Sequence, residues 1–139
     1  MRRIVALGAG ACLVAALGFS LAAQEKPPES YVTMMKGMQA HLGGASMAMR
    51  GKDAAAVAKH AAEMQPLFEE AAKFWEDRKA QDAVDAAQAG RKAAGELEAA
   101  AKAENEEQMT AARKGIIDSC SSCHDAHREK LPDGTWAIK

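Results

Sequence analysis

The feature that most constrains this chain is the spacing of its apolar residues. Beyond the first two dozen positions they recur three and four apart in four separate stretches. Tyr31, Met34, Met35, Met38, Leu42, Ala45 and Met49 fall on one face of a helix, as do Val57, Ala61, Met64, Leu67, Phe68 and Ala71. Composition agrees. Ala, Glu, Lys, Gln and Met dominate and enter helices at little cost, whereas aromatic residues are only 4% of the 139 residues. The pattern predicts helices over about 30–49, from Asp53 through the second stretch, over 82–103 and over 105–130. Ser30, Asp53 and Asn105 are expected as N-caps, with Gln108 completing a capping-box-like start. Gly43-Gly44 should weaken the first helix, and Pro66 should kink the second by removing a backbone donor. The second boundary is placed near Asp77 to Gln81, and Pro132-Asp133-Gly134 reads as a turn after the last helix. Four such segments with short turns predict an all-α chain, an antiparallel four-helix bundle over 24–139. Its core would be thin, mostly Ala, Met and Leu, and small domains of that kind usually need a covalent or metal staple.

Residues 1–23 read differently. Arg2 and Arg3 precede a charge-free apolar run from Ile4 to Leu17, and small residues at Ser20, Ala22 and Ala23 lead into polar sequence. That order is expected of a cleaved secretory signal, and the run is short for a membrane span of roughly 20 residues. Membrane contact is therefore expected only during export, and an uncleaved anchor is the competing reading. Cys12 lies within the run and would be discarded. Removing Arg2 and Arg3 leaves 16 bases against 19 acids, a net charge of −3, which argues against nucleic acid as a partner.

Two cysteines remain, in Cys120-Ser121-Ser122-Cys123-His124. This is the attachment pattern of c-type haem. On a helix, thiols three apart project from one face and can each bond one vinyl group along a haem edge. The imidazole of His124 is then positioned as an axial iron ligand. A thioredoxin-like pair would require a preceding strand and a βαβ context, neither of which is visible. Zinc would have Cys120, Cys123, His124 and His127 within eight residues, but usual zinc patterns separate their ligand pairs by a dozen or more. A disulfide within one helix has poor geometry.

Ile116 to Lys130, with its haem motif followed by basic Arg128, resembles the C-terminal signature of the class II c-type cytochromes, the family of cytochrome c′ and its low-spin relatives. The resemblance implies an exported four-helix bundle in the bacterial periplasm, with one covalent haem c on the last helix. It implies electron transfer with redox partner proteins rather than catalysis, and association into homodimers through the first helices. It also implies that a residue of the first helix covers the opposite haem face. In Thr33-Met34-Met35-Lys36 the matching residue is Met35, expected as the second axial ligand, with Met34 and Met38 as alternatives. An apolar residue there would instead leave iron five-coordinate, binding NO or CO. The sequence departs from the family at Tyr31 and Val32, where an arginine near a haem propionate is common, and at His127, commonly aromatic. His41 and His60 are further ligand candidates. The methionines, read without the resemblance, are flexible core filler. No His-Arg pair at a spacing suited to peroxidase chemistry is identified.

Overall fold

A computed structural model describes residues 25–139; the signal expected at 1–23, with Cys12, lies outside them. Four long helices make up most of the fold: α1 (Glu29–Arg50), α2 (Ala54–Glu76), α3 (Gln81–Lys102) and α4 (Glu106–His127). Two short strands follow, β1 (Arg128–Lys130) and β2 (Trp136–Ile138). The expected four packed helices are present. None of the described helices is long and apolar enough to cross a membrane.

The three turns between helices share one construction. Lys52, Lys79 and Glu104 each take a left-handed backbone, at φ 56°, 58° and 53°. The residue after each donates its N–H five positions back, Asp53 to Ala48, Ala80 to Trp75 and Asn105 to Ala100. Lys52, Lys79 and Glu104 themselves bond to Met49, Glu76 and Ala101. This is the Schellman closure, built without glycine at the left-handed position. Asp53, Ala80 and Asn105 then act at once as N-caps of the next helix. The Asp53 and Asn105 side chains accept from Ala56 N at 2.9 Å and Gln108 N at 3.0 Å.

Two helix bounds differ from expectation, while α1 and α2 continue through the residues expected to weaken and to kink them. Helix α1 starts at Glu29, with Pro28 at the cap and no side-chain bond, so Ser30 is not the cap. Gly43-Gly44 does not interrupt α1. A Cβ on Gly44 would sit 2.4 Å from the His60 ring, so the glycine admits that ring against α1. Helix α2 runs unbroken through Pro66. Helix α4 ends at His127 rather than near Lys130, because Arg128 turns extended (φ −125°, ψ 134°) and pairs with β2.

Consecutive helices pack on one another, α1 on α2, α2 on α3 and α3 on α4. Their core has two parts. One centres on Met64, Leu97, Ile116 and Val57, all almost fully buried. The other gathers Met34, Trp75, Val84 and Ile138 at the end bearing the hairpin. Helix α3 contributes mainly alanines to both, which lets its neighbours come close. No comparable seam joins α1 to α4. At one end Arg113 Nε donates to Ser46 Oγ at 2.7 Å across that gap. At the other end the gap is a cavity.

Candidate functional site

Cys120, Cys123, His124 and His127 stand three, four and seven apart on α4, hence on one face. The first three open into the cavity between α1 and α4, whose volume is about 550 Å3. Helix α1 supplies one wall with Tyr31, Val32, Met35, Met38 and Leu42. Phe68 and Trp75 of α2 and Ala86 and Ala87 of α3 form its floor. The hairpin closes the mouth with Trp136, Ala137 and Ile138.

The floor depends on a glycine. A Cβ on Gly90 would lie 2.3 Å from Phe68 Cε1 and 2.7 Å from Ser119 Oγ. Its absence lets the Phe68 ring approach the α3 backbone closely. Tyr31 and Trp75 belong to one aromatic group: Tyr31 stacks on Phe74 at 4.0 Å between centroids, and Trp75 stands edge-on to both.

Both cysteines are half-buried and unbonded to each other. Burial pushes the Cys120 thiol up, and burial, aided by Asp82 and Cys120, pushes Cys123 up to about 11. They are therefore thiols at neutral pH, the opposite of the depressed values of redox-active or metal-ready cysteines. Burial, then the nearby Arg128 charge, lowers the His124 pKa, with Asp125 opposing. Its imidazole is kept neutral, the form that can donate a lone pair to a metal. Tyr31 is pushed up to about 12, chiefly by burial.

No family model, curated protein or solved structure matches this chain.

The remaining candidates separate cleanly. Met35 and Met38 both line the cavity, across from α4. Met34 does not; it joins the core beside Trp75 and lines an open groove on the outer side of α1 and α2. His41 and His60 pair with each other, Nδ1 to Nδ1 at 3.2 Å, away from the cavity. His127 borders the cavity, but its Nε2 donates to Asp82 Oδ2 at 2.8 Å and its ring packs 4.7 Å from Trp75. That bond ties the end of α4 to the start of α3 and draws the Asp82 carboxyl below its usual range. Among the described residues no three His, Cys, Asp or Glu side chains converge as a cage for a bare cation.

Sequence reading missed the hairpin wall. Its signal was present: Trp136 and Ile138 alternate beyond Pro132-Asp133-Gly134, a strand pattern after a turn. Gly134 adopts φ 85°, and Asp133 Oδ1 accepts from Thr135 N at 2.9 Å to close that turn.

Proposed function

We propose that this protein is a periplasmic monohaem c-type cytochrome, an antiparallel four-helix bundle that transfers electrons and carries haem c on α4. One observation carries the reading. Both thiols and the neutral imidazole of the haem motif open from one helix face into a cavity whose interior is apolar and aromatic. Its size lies within the roughly 300–1,000 Å3 usual for cofactor sites, and Gly90 and two alanines keep its floor clear. These residues fit a flat, largely apolar macrocycle better than a bare cation.

In this reading Cys120 and Cys123 would hold haem through thioether bonds, and the His124 imidazole would bind its iron. Bound haem supplies an iron that cycles between ferric and ferrous. Met35 is the proposed ligand on the facing wall, where a thioether would raise the potential by favouring ferrous iron. Met38, on the same wall but more deeply buried, is the alternative. Phe68, Trp75 and the hairpin exclude water. Redox partner proteins would exchange electrons at the mouth.

Denaturing electrophoresis followed by haem staining tests the reading. The exported wild-type protein should retain colour, and Cys120→Ser with Cys123→Ser should lose it. A colourless wild-type band refutes covalent haem. The reduced absorption spectrum then reports whether Met35 ligates. A high-spin spectrum that Met35→Ala leaves unchanged would point to an open site binding NO or CO.

A further inference from the structure

The charge of the cavity is one-sided. None of the described side chains lining it is acidic, although acids outnumber bases in the sequence, 19 to 18. Among the described residues, the two permanently charged ones that line it are cations, Lys36 on α1 and Arg128 at the start of the hairpin. Neither forms an ion pair with any carboxylate among the described residues, whereas Arg78, Arg91, Lys92, Lys102 and Lys114 all do.

Arg128 is also held in place. Its guanidinium lies 3.4 Å from the centroid of the Trp136 ring. Strand register sets this arrangement: Lys130 opposes Trp136 and Arg128 opposes Ile138, while Glu129 points to the other face. A guanidinium lying on an aromatic face keeps its N–H fork free at the edges, suited to a bidentate carboxylate. Trp136 is itself 42% exposed and lines the cavity, so the stacked pair stands at the mouth.

We infer that Lys36 and Arg128 are the anchors for two carboxylates of the molecule bound in the cavity, and that the hairpin exists to hold Arg128 there. The inference rests on the haem reading, since the haem periphery carries two propionates. Lys36 receives a carboxylate as a flexible point charge from the α1 wall. Arg128 receives the other as a fixed fork from the hairpin wall. The apolar interior takes the rest of the ring, so the two cations fix which edge faces outward.

The test uses holoprotein whose covalent haem has been verified by staining. Lys36→Gln, Arg128→Gln, Arg128→Lys and Trp136→Ala are compared with wild type by resonance Raman spectroscopy of the haem carboxylate modes and by spectroelectrochemical titration. Each glutamine variant should shift a carboxylate band. Each should also lower the equilibrium constant for reduction roughly three- to tenfold, because a cation near iron favours the ferrous state. Arg128→Lys should restore the equilibrium constant while leaving the band shifted. Trp136→Ala should reproduce part of the Arg128→Gln band shift with the charge retained. Unshifted bands in both glutamine variants overturn the inference, whether or not the equilibrium constants change. A wild-type protein without stain overturns the haem reading instead.

Discussion

Replacing Gly90 by alanine adds one carbon at the most crowded point of the cavity floor. The new Cβ would lie 2.3 Å and 2.5 Å from Phe68 Cε1 and Cζ and 2.7 Å from Ser119 Oγ. Ordinary contact begins near 3.4 Å, so the ring must move by about 1 Å. Phe68 is 5% exposed and packed in the core on its other sides, so the space open to it is the cavity. Overpacking of this kind costs ~1–3 kcal/mol. Alanine also gains about 1 kcal/mol over glycine within a helix. The net expectation is a loss of ~0–2 kcal/mol without a ligand and a larger loss in the loaded protein, where ring and ligand compete. Chemical denaturation of Cys120→Ser/Cys123→Ser protein, with and without Gly90→Ala, gives the first number. The yield and spectrum of loaded Gly90→Ala protein give the second. Phe68→Leu, which shortens the offending edge, should recover part of both losses in the double variant. The reasoning fails if Gly90→Ala stabilises the chain by the full helix-propensity gain and leaves loading and spectrum untouched.

Other expectations concern the turns and the α3–α4 tie. Lys79→Gly should stabilise the chain by about 0.5–1 kcal/mol in urea titrations, because φ 58° suits glycine better than a residue with a Cβ. Asp53→Ala should cost ~1 kcal/mol through loss of the bond to Ala56 N, measured in the same way. Asp82 has a depressed folded-state pKa, so its contribution is complete above its unfolded value of 3.8 and is lost as pH falls through the lower folded value. Asp82→Asn should therefore flatten the acid limb of stability measured between pH 2 and 6, and an unchanged limb would contradict that coupling.

The helices were legible because periodicity and capping act locally. Asp53 and Asn105 cap the helices their neighbours predict, and the boundary placed between Asp77 and Gln81 falls where α2 gives way to α3. Its position was hard to read because the left-handed residue there is Lys79, not the glycine that usually marks such a closure. The cysteines and His124 were legible as a motif because one helix turn relates them. The partners of other residues depend on three-dimensional packing. The pairing of His41 with His60 and of His127 with Asp82 joins residues 19 and 45 positions apart, beyond the reach of any local pattern. Met34, Met35 and Met38 are close in sequence, yet only the angular position of each on α1, set by packing against α2, separates Met34 from the cavity.

The two ends of the described chain meet. Glu25 N donates to Ile138 O at 3.1 Å, Ile138 N donates to Glu25 O at 2.8 Å, and Arg78 binds the Glu25 carboxylate at 2.8 Å. Residues flanking this junction, Pro27 and Ala137, line the cavity. The hairpin that closes the cavity is thereby fastened to the segment leading into α1, so the two walls facing each other across the gap share one junction.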